Sequence, residues 1–179
     1  LALQVLWTRM FSQVLQNTVY TFSMILIVFL IALAAGATLA NLLARTRLAP
    51  VPFLVILITL TGLGCSTTPA LFYHLTNGLE RLVFSEPGSW AMYLLALFGA
   101  TSSILFVPGL LLGSTFPYLI KVAEGTKEKP GPVMGRMLSV NTVGAILGSL
   151  CAGFVMLGQL GLWSSLKAVS LLYLALAFL

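Results

Sequence analysis

TVYTFSMILIVFLIALAAGATLANLLA, residues 18–44, decides the fold of this chain. It is almost wholly apolar, and no acid or base interrupts it. A helix needs about twenty such residues to cross the hydrocarbon of a bilayer, so the stretch reads as a membrane span. The composition agrees. Of 179 residues, 59% are hydrophobic and 7% charged, whereas a soluble domain carries about 25% charged residues. The mean hydropathy is +1.07. So little charge cannot cover a globular surface facing water. The sequence predicts an all-α fold, a polytopic transmembrane helix bundle.

Five more apolar segments flank this span. LALQVLWTRMFSQVL, residues 1–15, reads as the end of a helix. The third segment covers residues 52–75, the fourth 90–122, the fifth 137–160 and the sixth 163–179. The fourth is long for one crossing, and Pro108 and Pro117 are expected to kink it or to split off an emerging part. The chain opens on Leu1 and stops at Leu179 inside apolar runs. The expectation is therefore about six spans with the first and last incomplete, forming one transmembrane domain over residues 1–179 of a longer chain. No signal peptide can be read from this N-terminus.

Basic residues set the orientation. The formal net charge is +5 and the sequence pI about 9.6. No nucleic-acid-binding motif accompanies that charge, and nucleic acid is not an expected partner. The bases lie in short loops: Arg45 and Arg47 after the second segment, and Lys121, Lys127, Lys129 and Arg136 after the fourth. The positive-inside rule makes these loops cytoplasmic, in what is expected to be a bacterial inner membrane. Residues 124–132, EGTKEKPGP, read as a flexible cytoplasmic connector. The opposite side holds residues 77–89, with Arg81 against Glu80 and Glu86, and a very short turn at Gly161. Lys167 lies near that side and can snorkel to the headgroups.

Ionisable groups at membrane depth are costly and mark function. All four acidic residues, Glu80, Glu86, Glu124 and Glu128, fall in loops or at their edges. Arg9 is the main candidate for a charge at membrane level, beside Trp7, as an interfacial or helix-pairing residue or as a substrate ligand. Hydroxyl clusters at Ser66-Thr67-Thr68 and Thr101-Ser102-Ser103 can line a polar cavity or bond to their own helix backbone. His74 reads as interfacial. Cys65 and Cys151 lie in apolar runs away from metal-ligand spacing. With a single histidine and no C-x-x-C, neither a metal nor a cofactor is expected. No pair of residues forms a catalytic constellation.

Glycines carry the packing signal. In lipid, helices gain little hydrophobic drive from meeting, and small residues let backbones approach closely. In GRMLSVNTVGAILGSLCAGF, residues 135–154, Gly144 and Gly148 form a G-x-x-x-G. Ala145, Ser149 and Gly153 form a parallel row. The second span offers a complementary series, Ala32, Ala35, Gly36 and Ala40. The predicted helix-packing residues are Gly36, Gly144, Gly148 and Gly153. Asn141, in the first turns of the fifth helix, is placed to bond across the bundle or cap a neighbouring helix.

Two patterns carry a resemblance. FVPGLLLGSTFP, residues 106–117, reads F-x-P-x-x-x-x-G-x-T-F-P. Residues 135–148 read G-R-x-x-x-x-N-T-x-G-A-x-x-G. With LQVLWTRMFSQVLQNTVYTFSMILIVFLIALAAGATLA, residues 3–40, they resemble the membrane region of bacterial spermidine-synthase-like proteins over nearly the whole chain. That region is itself similar to half of a major-facilitator-type transporter. The resemblance implies six spans with cytoplasmic ends and a cytoplasmic aminopropyltransferase-like domain following them. Gln4 stands where the family often has a glutamate, so any ion pair or proton role of that carboxylate is lost. The strand, glycine-rich loop and acidic pattern needed for aminopropyl transfer are absent from residues 1–179. Two functions are therefore expected as alternatives. One is a membrane module that anchors or scaffolds a cytoplasmic synthase-like domain or other membrane subunits. The other is a transporter half for a small metabolite such as a polyamine, with a cavity drawn from Arg9, Thr67, Thr101, Ser102 and Asn141.

Overall fold

The computed structural model describes residues 1–15, 18–45, 50–79, 90–124 and 130–178. Its helices are α1 (Ala2–Phe11), α2 (Val19–Ala44), α3 (Pro50–Leu75), α4 (Trp90–Glu124), α5 (Pro130–Leu150), α6 (Leu157–Gln159) and α7 (Gly161–Leu176), with a π-helical segment at Cys151–Met156 joining α5 to α6. Among the described residues there is no strand. Four helical stretches are long and apolar enough to cross a membrane: α2, α3, α4 and the run from α5 through α6. The expected all-α bundle of membrane helices is the fold observed. Arg47, Glu80, Arg81, Glu86, Lys127, Glu128 and Lys129 lie outside the described residues.

Local chemistry accounts for the ends of these helices. Thr18 caps α2, its hydroxyl oxygen accepting from the Thr21 amide at 3.3 Å, which satisfies one of the free N–H groups of the first turn. Gly161, at φ +73°, makes the reversal between α6 and α7, a left-handed conformation that glycine adopts without steric cost. The fifth stretch begins at Pro130, seven residues before the expected start. Residues 130–132 of the expected connector are thus helical, and Gly135-Arg136 lies inside α5. Proline is accommodated there because the first turn has no use for its missing N–H.

The fourth stretch is one continuous helix, with Pro108 and Pro117 both inside it. Pro69 likewise sits inside α3. A proline frees the carbonyl four residues earlier, and at Pro69 that carbonyl is Cys65 O. The Thr68 hydroxyl donates to it at 2.7 Å, the side-chain rescue that lets membrane helices carry proline.

Contacts between helices fix their directions. α2 and α4 run parallel: Tyr20 meets Trp90 edge-on at 4.7 Å at one end, and Lys121 Nζ donates to the Ala44 carbonyl at the other. α3 runs against α4, Thr61 and Thr115 sharing a hydrogen bond of 3.3 Å. α7 runs against α3, with Trp163 near Phe72 and Leu174 against Gly62. α1 runs with α3, Phe11 meeting Phe72 at 5.2 Å between ring centroids. The ends carrying Arg45 and Lys121 therefore share one end of the bundle, as the loop charges predict. The main core gathers around Leu6, Trp7, Met10, Phe11, Val28, Phe29, Phe72, Leu105 and Leu166.

The tightest seam is α2 on α4. Ala32, Gly36 and Ala40, spaced by four, are all buried. A Cβ on Gly36 would collide with the Leu110 carbonyl oxygen and lie 2.9 Å from the Ser114 nitrogen. A Cβ on Gly113 would lie 2.7 Å from Leu33 Cα, and one on Gly109 would lie 2.8 Å from Ala32 Cβ. The expected pairing of α2 with α5 is thus corrected: Gly113 of α4 packs beside Gly36, and Gly109 of α4 packs against Ala32. On the fifth stretch, a Cβ on Gly148 would meet Ala2 Cβ at 3.6 Å and one on Gly153 would meet Val5 at 3.9 Å, ordinary contacts with α1. Gly144 faces open space, with nothing within 4 Å. In an 18-residue apolar window of the run over Gly131–Gln159 only 6% is buried, against 28% in the corresponding windows of α2 and α3 and 33% in that of α4. α5 is the outlying helix.

Candidate functional site

α1 is two-faced. Leu3, Leu6, Trp7, Met10 and Phe11 point into the core. Trp7 Nε1 donates to Thr68 Oγ1 at 3.2 Å, and its ring meets Phe29 edge-on at 5.9 Å. The opposite face carries Gln4, Thr8 and Ser12, spaced by four, with Arg9 beside them. Residues at that spacing stack along one side of a helix. This polar face lines an open cleft of about 490 Å³, together with Leu1, Val5, Phe22, Ser149 and Leu157. α1 supplies the polar wall, α2 the ring of Phe22, and the fifth apolar stretch supplies Ser149 and Leu157.

The hydroxyl protons in the cleft are already used. Thr8 donates to the Gln4 carbonyl at 2.8 Å, Ser12 to the Arg9 carbonyl at 2.8 Å and Ser149 to the Ile146 carbonyl at 2.9 Å. Arg9 is exposed to the cleft. Among the described residues no carboxylate pairs with it, and its planar set of five N–H donors is available.

Of the residues expected to form a polar cavity, only Arg9 lines this cleft. Thr67 is exposed on α3 and donates to the Gly64 carbonyl at 2.9 Å. Thr101 is buried in α4 and donates to the Leu97 carbonyl at 2.8 Å. The half-buried Ser102 has a hydroxyl oxygen with no partner among the described residues. Asn141 is exposed on α5. Gln4, Thr8, Ser12 and Ser149 were not expected. The signal for three of them was present, a polar row at i, i+4 and i+8 opposite Leu3, Trp7 and Met10.

A second notch, about 470 Å³, lies at the basic end between α2 and α4 and is lined by Asn41, Arg45, Pro117 and Lys121, among others. Lys121 donates to the last turn of α2 and sits 5.4 Å from the centre of the Tyr118 ring. Cations are stabilised at a helix C-terminus by the exposed carbonyls there. Cys65 is buried and Cys151 exposed, and both are free thiols. Among the described residues no cluster of three histidine, cysteine or acidic side chains forms. Comparison with protein-family models, with curated proteins and with solved structures finds no match to this chain.

Proposed function

We propose that this chain is an integral membrane module that anchors or scaffolds a protein partner, a cytoplasmic synthase-like domain or further membrane subunits. The observation that carries this reading is the outward face of α5. Asn141 is exposed there and makes no hydrogen bond among the described residues, and Gly144, one turn on, faces open space. Asn141 lies five positions after Arg136, the last basic residue of the segment read as cytoplasmic, ~7 Å along the axis at 1.5 Å per residue. At that depth an amide facing lipid tails has no partner, whereas a neighbouring helix satisfies it, and an open glycine lets that helix approach.

The sequence patterns at residues 106–117 and 135–148 support the choice of a synthase-like partner. The basic end of α4, which carries Lys121, supports a cytoplasmic one by the positive-inside rule. In this reading the membrane is the bacterial inner membrane, and the Arg45/Arg47 and Lys121–Arg136 segments are cytoplasmic. The test is photocrosslinking in native membranes from position 144, with exposed position 171 on α7 as the lipid-facing control. A protein adduct at position 144 alone, lost in Asn141→Leu, is the expected result. Lipid adducts only, at both positions, would refute the reading.

A second reading, half of a major-facilitator-like transporter for a small metabolite such as a polyamine, rests on the sequence resemblance at residues 3–40, 106–117 and 135–148. Uptake of labelled spermidine into proteoliposomes checks it. Uptake no faster than into protein-free vesicles counts against it.

A further inference from the structure

We infer that the α1 cleft is a binding site for an anionic amphiphile, a molecule with one carboxylate or phosphate head and an apolar body, and that Arg9 holds the head. The inference does not rest on partner docking or on transport, since binding is read on the purified chain alone.

The first observation is charge. Arg9 contributes the one formal charge among the side chains of the described residues that line the cleft. A guanidinium binds carboxylate or phosphate through two parallel N–H bonds, a geometry that a point charge does not offer. Among the described residues lining the cleft, Gln4, on the same wall, supplies the only other side-chain N–H donors. A polyamine would meet this cation and, among the described residues, no carboxylate in the cleft, so the site disfavours a polycation.

The second observation is depth. Trp7 is level with Thr68 through its hydrogen bond, and Phe11 is level with Phe72 through the ring contact. Arg9 lies between those levels, and α3 ends at Leu75. Arg9 is therefore ~5–10 Å inside that end of the bundle. Tyr20, Trp90 and Tyr93 cluster at this end, with ring centroids 4.7 Å and 5.6 Å apart in the two ring pairs, as aromatic side chains do at a membrane interface. The Arg9 side chain can extend toward that end to hold a head, and the body of the ligand lies on Val5 and Leu157. The third observation is size: about 490 Å³ falls within the range of small-molecule sites.

Two sources share this chemistry, a membrane phospholipid and a soluble organic anion with an apolar body. Protein in dodecyl maltoside is titrated calorimetrically with dodecyl phosphate, benzoate, inorganic phosphate and spermidine. Native mass spectrometry compares retention of phosphatidylglycerol with that of phosphatidylcholine. Dodecyl phosphate is expected to bind roughly 10-fold to 100-fold more weakly to Arg9→Gln, the span of a hydrogen bond to a charged group. Arg9→Lys should retain part of the affinity, and Arg136→Gln, a surface change on α5, all of it. Selective retention of phosphatidylglycerol assigns the site to lipid, binding of benzoate assigns it to a soluble organic anion, and inorganic phosphate binding as tightly as dodecyl phosphate overturns the role given to the apolar body. Equal affinity of wild type and both Arg9 variants, no binding of any anion, or preference for spermidine overturns the proposal. Circular dichroism of each variant identifies loss of fold, and Arg9→Lys keeps the test decisive if Arg9→Gln does not fold.

Discussion

Gly36→Ala and Gly144→Ala add the same methyl group to two glycines on apolar helices, yet the structure separates their outcomes. At Gly36 the new carbon would collide with the Leu110 carbonyl oxygen and lie 2.9 Å from Ser114 N and 3.0 Å from the Gly113 carbonyl carbon. All three are backbone atoms, which no rotamer change can move. Relief requires α2 and α4 to part by about 1 Å, a gap that forfeits a quarter to a half of each contact's dispersion energy. Overpacking of this kind costs about 1–3 kcal/mol. Alanine recovers about 1 kcal/mol in helix propensity. Because the obstacles are backbone, the upper part of the range applies, and the net loss is ~2 kcal/mol, roughly a 30-fold shift in the folding equilibrium. At Gly144 nothing lies within 4 Å, so Gly144→Ala should be neutral or stabilising by up to ~1 kcal/mol. Unfolding in mixed micelles of dodecyl maltoside and SDS, followed by circular dichroism, reads both. Gly36→Ala unfolding at the wild-type SDS fraction, or Gly144→Ala losing as much stability as Gly36→Ala, would refute the assignment of the seam to α2 and α4.

Two further outcomes follow from the contacts. In a double-mutant cycle of Trp7→Phe and Thr68→Val, the hydrogen bond between these residues should appear as a coupling of ~0.5–1 kcal/mol, the size measured between membrane helices; a coupling near zero shows that it does not hold α1 to α3. In a chain with Cys65→Ala and Cys151→Ala, a cysteine placed at Asn77 should react with an impermeant maleimide in intact spheroplasts, and one at Arg45 only after permeabilisation. Labelling of both from the same side contradicts the antiparallel course of α2 and α3 across the membrane.

Much of the fold was legible because span location is a local property. Twenty apolar residues in a row announce a span whatever surrounds them, and the bounds read for residues 18–44 match α2 within one residue. Punctuation was less legible. Pro130 and Pro132 read as part of a polar connector, but proline suits the first turn of a helix. Pro108 gave the opposite difficulty: a membrane helix has no water competing for its backbone, so it continues through a proline that would end many soluble helices.

The candidate site was legible only in part. Arg9 stood out because a charge in an apolar run always does. Thr67, Thr101, Ser102 and Asn141 are individually polar, but four residues on three helices meet only if helix rotation and register bring them together, and those are set by packing. Each of the three hydroxyls has a local alternative, the carbonyl three or four residues back, and Thr67 and Thr101 take it.

By itself the sequence determined that the chain is a bundle of membrane helices, where the long helices lie, and which ends are basic, because hydropathy and charge act residue by residue along the chain. Only the tertiary structure decided which small-residue face meets which. The rows on α2, α4 and α5 are equivalent as strings, and lipid does not drive one pairing over another. The choice is made by backbone shape at a few ångströms, where Gly36 accepts Leu110 and Gly113 accepts Leu33. That choice leaves α5 outlying, and it opens beside α1 the cleft in which Arg9 stands.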